Sequence, residues 1–277
     1  MPLIAMTREM GSLGKDVAAY VGEALGIPVL HHEIIDHLAD RMRLRKSHVI
    51  KLLHGHASFF ERLTADQTSL SIYTADETLG LAGRDRGAII RSWGAAHLLR
   101  SVPHAVCVRI CSPRELRVQR MLERMNTTDC ELMGQEIDTS DEAHNAIVRR
   151  HFDADWRDAE HYDLVLNTER VPIAQCVDEI LRLVRDPAFA ETDASRSKLA
   201  DLQLAARVRA ALRNDPVTRK LAVQISATGG RVALAGMVDR GEEREHAERV
   251  AAAVPGVTGV DQSLRAIGDA HSHHRDG

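Results

Sequence analysis

The chain has 277 residues, 44% of them hydrophobic and 27% charged, with a formal net charge of -4. That length is generous for one compact domain and comfortable for two, and the apolar content is enough to bury real cores. A slightly acidic chain has no global basic field to draw it to nucleic acid, and no run approaches the roughly 20 apolar residues of a membrane span. The N-terminus shows no basic region followed by an apolar signal core, so the expected location is the cytoplasm. Four cysteines, Cys107, Cys111, Cys130 and Cys176, are too few for a disulfide framework and lack zinc-knuckle spacing, so reduced packing residues are expected.

In chain order, the first element is a short apolar strand, Leu3 to Met6. The segment Arg8-Glu9-Met10-Gly11-Ser12-Leu13-Gly14-Lys15-Asp16 follows it, and then a helix to Leu25 with Val17, Tyr20, Val21 and Leu25 at helical spacing, stopped by Gly26 and Pro28. A glycine loop between strand and helix suits phosphate, which needs close backbone approach and the unpaired N–H groups of a first helical turn. Lys15 adds a charge able to follow a transferred phosphoryl group. Against the Walker pattern G-x-x-x-x-G-K-[ST], Gly14 and Lys15 fit, Glu9 stands at the first glycine and Asp16 replaces the hydroxyl residue. Gly11, Ser12, Leu13, Gly14, Lys15 and Asp16 are the expected cofactor cradle, with Asp16 the candidate ligand for Mg²⁺. An ordinary glycine turn capped by an acidic residue is the competing interpretation.

Further strands are expected at Val29 to Leu30, Ala88 to Ile90, Ala105 to Ile110 and Leu164 to Leu166, alternating with helical patterns. This rhythm predicts an α/β domain with a mainly parallel sheet flanked by helices. His31-His32-Glu33 and His37 lack the order of a zinc hydrolase motif, and His54-Gly55-His56 reads as polar surface. The polar run after Val184, with Arg185-Asp186-Pro187 and Glu191 to Lys198, predicts a linker. The expected division is residues 1–188, a linker at 189–197, a small domain at 198–268 and a tail at 269–277. The small domain reads helix, strand, strand, helix, strand, with a turn at Thr228-Gly229-Gly230 and a stop at Pro255-Gly256. The tail holds His271, His273 and His274 and is expected to be a solvated, disordered end and not a metal site.

Thr7-Arg8-Glu9-Met10-Gly11-Ser12-Leu13-Gly14-Lys15 with Leu25-Gly26-Ile27-Pro28 resembles the start of the cytidylate kinase-like family. The likeness continues through Ala88 to Ile90, Pro103 to Ile110, the basic helix at Arg114 to Arg124, and Tyr162-Asp163-Leu164-Val165-Leu166-Asn167-Thr168. It implies a P-loop kinase fold and transfer of the γ-phosphoryl group of ATP, with Mg²⁺, to a nucleoside monophosphate or a related small acceptor. It also implies a basic lid, onto which Arg149, Arg150 and Arg157 map. The family's Gly-Arg acceptor element falls at Ser92-Trp93 in the better register, although Gly83-Arg84 competes by eye. Arg91 is then the stand-in cation, with Arg8, His31 and Trp93 on the acceptor side.

Gly230 to Val238 and Val254 to Val260, with Val208 to Leu212, resemble a BON domain. This implies a phospholipid or protein partner and a regulatory or tethering role, peripheral to a membrane in the lipid case. The alternative for the whole chain is a non-catalytic nucleotide sensor coupled to a BON ligand.

Overall fold

A computed structural model describes residues 1–53, 66–84, 86–92 and 94–266. His54-Gly55-His56, Trp93 and the tail at 269–277 lie outside the described residues. The chain divides into two compact units, Met1–Ser195 and Arg196–Gly277.

The first unit is built on five parallel strands in the order β2-β3-β1-β4-β5. In chain order it runs β1 (Leu3–Arg8), α1 (Gly14–Leu25), β2 (Val29–Leu30), α2 (His32–Met42), α3 (Lys46–Leu53), α4 (Gln67–Ala82), β3 (Ala88–Ile90) and α5 (Ala95–Leu99). It continues with β4 (Ala105–Cys111), α6 (Arg114–Met125), α7 (Cys130–Phe152), β5 (Leu164–Asn167) and α8 (Ile173–Val184). All five expected strands are present, β1 running two residues longer. β1 and β4 are buried along nearly their whole length because helices cover both faces of a parallel sheet, which is why they read as unbroken apolar runs.

On one face, Val17, Ala18 and Val21 of α1 and Cys176, Val177, Ile180 and Leu181 of α8 pack with Ile4, Met6, Val106 and Val108 into a core. Tyr20, expected on the packed face of α1, is instead 55% exposed, since the buried stripe runs 17, 18, 21, 22 and position 20 falls outside it. α6 and α7 follow β4 and pack on one another, and α7 continues unbroken for 23 residues.

The run expected as a linker holds a 3-10 turn ending at Phe189 and the start of α9 (Asp193–Asn214). Two of its polar residues are anchored: the Met1 ammonium donates to Glu191 at 2.7 Å, and Ser195 Oγ lies 2.8 Å from His104 Nδ1 in a buried contact. Phe189 packs on the first unit's core.

The second unit follows α9 with β6 (Val223–Thr228), β7 (Arg231–Val238), α10 (Gly241–Ala252) and β8 (Gly259–Ala266). Its sheet order is β6-β7-β8, with an antiparallel hairpin between β6 and β7 and a parallel pair between β7 and β8. Leu204, Val208 and Leu212 of α9 and Ala247 and Ala251 of α10 cover one face, against Val232, Leu234 and Leu264. Among the described residues, no helix is long and apolar enough to cross a membrane. All four cysteines are free, and Cys107 and Cys176 are buried.

Candidate active site

The phosphate loop spans the gap between the end of β1 and the start of α1. Glu9 N–H donates to Ile110 O at 3.1 Å, anchoring the loop to β4, and Ser12 folds back with its N–H and Oγ both donating to Glu9 O, at 3.2 and 2.8 Å. Gly11 and Leu13 take left-handed backbone, at φ +79° and +61°. That geometry leaves the N–H groups of Gly11, Leu13, Gly14 and Lys15 without a protein acceptor among the described residues. A run of free amides at a helix N-terminus is the physical requirement for cradling phosphate. Ser12 is fully buried, and its carbonyl accepts from Thr168 Oγ1 at 2.9 Å. Lys15 is exposed and Asp16 half-buried.

The two loop glycines also answer to packing within the protein. A Cβ on Gly14 would stand 2.6 Å from Arg8 Cβ and 3.2 Å from Ile110 Cβ; one on Gly11 would stand 2.8 Å from Arg117 O. The loop is pressed against β4 and α6, and only glycine fits at either point.

Beside the loop, a cleft of about 510 Å³, open solvent included, lies at the C-terminal ends of β1, β2 and β3 and against α7. Ligand sites of open parallel sheets sit at this edge. Arg8, His31, Arg91 and Ser92 line it from the strand ends, with Asp141 and His144 on the facing helix. Three of the four expected acceptor residues, Arg8, His31 and Arg91, are therefore brought together; the fourth, Trp93, is outside the described residues. His31 Nδ1 lies 2.8 Å from Arg91 O, and because a carbonyl only accepts, that nitrogen carries the proton.

Burial lowers the Arg8 guanidinium to about 10, with Arg91 and then Arg124 pushing the same way and Asp16 opposing. Arg91 is lowered chiefly by burial, with Asp16 opposing and Arg124 adding. Neither Arg8 nor Arg91 has a carboxylate within ion-pair distance among the described residues, and Arg91 Nε is buried without a partner. Three guanidiniums around one carboxylate leave an excess of positive charge, and its natural complement is an anion.

The expected lid arginines separate. Arg157 is exposed and does not line the cleft, but its guanidinium stands 5.9 Å from the Trp156 ring and acts electrostatically on Asp141, which does. Arg149 is 68% exposed and 3.8 Å from Asp155, and Arg150 is exposed. Neither lines the cleft. Arg150 follows Asp141 by nine positions on one continuous helix, about half a turn away from the cleft-facing side.

Sequence reasoning took the basic helix at Arg114 to Arg124 only as family likeness and named no site residue on it, although Arg124 closes its face Arg117, Arg120, Arg124 and acts electrostatically on Arg8 and Arg91. Their spacing of three and four was the available signal. It also passed over the buried charges behind the loop. Glu9 Oε1 accepts from Arg109 at 2.7 Å, Glu9 Oε2 accepts from Ser112 N–H at 3.0 Å and lies 3.5 Å from Arg117 Nε. Arg117 in turn donates to both oxygens of Asp141, at 3.2 and 2.9 Å. Arg109 lies 5.3 Å from the centre of the Trp156 ring, and His144 stacks on that ring at 4.1 Å.

The arrangement can therefore receive phosphate groups on the loop and hold a second anion in the adjoining cleft. Comparison with known proteins agrees with a kinase-like fold. No curated protein matches the chain. Among solved structures, an uncharacterized protein from Eubacterium ventriosum is 18% identical with a TM-score of 0.52, over 66% of this chain and 98% of that one. Shikimate kinase from Acinetobacter baumannii, in complex with shikimate, is 16% identical with a TM-score of 0.41, over 66% and 93%. The YorR protein from Bacillus subtilis, in complex with phosphorylated GDP, is 13% identical with a TM-score of 0.40, over 69% and 99%. The BON domain model matches residues 200–268. The cytidylate kinase-like family model matches residues 3–170, more than half of the chain, and the chain belongs to that family.

Proposed function

We propose that the first unit is an ATP-dependent, Mg²⁺-assisted kinase whose acceptor is a nucleoside monophosphate of the cytidylate type or a related small anion. The observation that carries this reading is the adjacency of the phosphate loop, whose amides are free among the described residues, to a cleft holding Arg8 and Arg91, which have no carboxylate partner among those residues. Phosphoryl transfer is largely positioning and charge neutralisation, and these groups supply both. The loop amides hold the donor's phosphates, and Lys15 tracks the γ-phosphoryl group. Arg8 and Arg91 orient the acceptor so that its oxygen attacks phosphorus as the bond to the ADP oxygen breaks. Arg124 adds positive charge from α6, and Arg157 adds it from the segment after α7.

Asp16 fits a magnesium ligand. Its carboxylate is half-buried at the position of the Walker hydroxyl and makes no ion pair among the described residues, and Mg²⁺ commonly takes one or two carboxylates alongside substrate phosphates. Bound there, the ion would neutralise charge on the phosphate oxygens. The second unit is proposed to tether or regulate the kinase, in the cytoplasm or at a membrane surface, through a phospholipid or protein partner.

A coupled ADP-release assay across CMP, dCMP, UMP, AMP and GMP tests the enzyme reading, with acceptor-stimulated turnover expected for at least one. A nucleotide sensor is the second reading, favoured by the placement of Arg149 and Arg150 off the cleft. Nucleotide-dependent binding of a partner without turnover on any acceptor would select it.

A further inference from the structure

Glu9 occupies the place where a Walker loop has its first glycine, yet it is 7% exposed and its carboxylate is fully engaged. Its backbone is engaged as well: the N–H holds β4, and the carbonyl takes both donors of Ser12. The turn from Glu9 to Ser12, Gly11 included, is thus built on one residue pinned from both ends. Arg117 adds a contact to the same turn, donating to Met10 O at 3.4 Å, while its own backbone abuts Gly11. From there the chain of contacts goes on to Asp141, on the wall of the cleft. Glu9, Arg109, Arg117 and Asp141 are each no more than 8% exposed. Two guanidiniums and two carboxylates balance in charge, and each is held by its neighbours, as buried ions must be.

The geometry points to Glu9 as a positioning residue for nucleotide binding: it fixes the phosphate loop and, through Arg117 and Asp141, links the loop to the acceptor cleft. In a glycine-type loop the turn is set by backbone freedom; here a side chain sets it and the cleft wall shares the setting. Among the described residues Asp141 makes no hydrogen bond to the loop, and Arg117 is the group that ties it there, donating to Asp141 and to Met10 O. The inference rests on the proposed nucleotide site.

The test is a double-mutant cycle read by calorimetric titration with Mg·ADP, using the full chain with Glu9→Gln, Asp141→Asn and the two combined. Each single change is expected to weaken Mg·ADP about tenfold, and the double variant to be no weaker than the worse single, because both cut one chain of contacts. Melting temperatures are taken in parallel. A role in stability alone would lower them and leave the affinity of the folded protein for Mg·ADP unchanged, which overturns the inference, as does a double variant whose losses multiply. If Glu9→Gln fails to fold, Arg117→Lys, which keeps the charge and loses the two-pronged donor, takes its place in the cycle with the same expectations. Failure of the unaltered chain to bind Mg·ADP overturns the nucleotide site and this inference together; unaltered affinity in the variants overturns this inference alone.

Discussion

Lys15 stands exposed at the first turn of α1 and holds no ion pair among the described residues, so its removal takes nothing from the fold. Lys15→Met is expected to lower kcat about 100-fold or more, on the order of 3 kcal/mol of transition-state stabilisation, with an unchanged melting temperature. A loss of activity matched by a loss of stability would assign Lys15 to structure instead. His97 is the converse case, a polar residue set by burial. Both its ring nitrogens are buried without a hydrogen-bond partner among the described residues, its ring stacks on Phe152 at 5.1 Å, and His161 lies 4.8 Å away. Burial first, then His161 and Arg100, lowers it from 6.5 to about 4. The folded chain keeps His97 neutral where the unfolded chain binds a proton, so its share of stability is complete above about 6.5 and drains away as pH falls towards 4. Urea midpoints at pH 7 and pH 5 should differ less in His97→Phe than in the unaltered chain; an equal pH dependence would exclude His97 as the source. Thiol chemistry follows burial too. Burial, with Asp163, raises Cys107 to about 12, and of the four cysteines only Cys130 is exposed, so one fast-reacting thiol is expected in a native titration with a disulfide reagent.

At the scale of elements, the join between β1 and α1 depends on Gly14. Gly14→Ala would press a methyl group into Arg8 and Ile110, at a cost of about 1–3 kcal/mol, and would shift the strand end away from the helix start. Stability and Mg·ADP affinity should therefore fall together, unlike Lys15→Met, where only catalysis falls. If Gly14→Ala binds Mg·ADP normally, the loop tolerates the shift and its rigidity is not required. This join was legible in the sequence because strand, loop and helix are contiguous and each announces itself by local pattern. The five strands of the parallel sheet were legible as short apolar runs, and β1, β3 and β4 are buried along nearly their whole length. The buried charge network was not: it joins Glu9, Arg109, Arg117 and Asp141, four residues on four separate segments, and no period links them. Arg149 and Arg150 were placed by family position, whereas the unbroken course of α7 decides which of its side chains meet the cleft. Tyr20 met the helical spacing and still faces outward, because spacing defines a stripe only once the covering partner is known.

For the whole molecule, a net charge of -4 conceals a division. Residues 196–277 contain 13 Lys and Arg against 10 Asp and Glu, a balance of +3, while the first 195 residues carry -7. The electrostatics that exclude an anionic surface for the chain as a whole therefore do not exclude it for the second unit, to which the tethering role is proposed. Its loop after α9 offers a suitable contact: Val217 is 47% exposed, with exposed Arg219 and Lys220 close behind it. An apolar side chain beside basic ones suits a lipid interface, where each Lys or Arg near an anionic surface contributes about 1 kcal/mol. The full chain is expected to co-sediment with phosphatidylglycerol vesicles, to bind phosphatidylcholine vesicles much less, and to be released by high salt, since exposed charges are screened. Arg219→Glu with Lys220→Glu should weaken that binding at least tenfold while acceptor-stimulated ADP release stays unchanged, because neither side chain belongs to the kinase unit. Equal binding to both lipids, or binding that survives high salt, would remove the charge argument. No binding to either would leave a protein as the partner for this surface, and the same two charge reversals, scored against protein partners, would then show whether the loop is its contact.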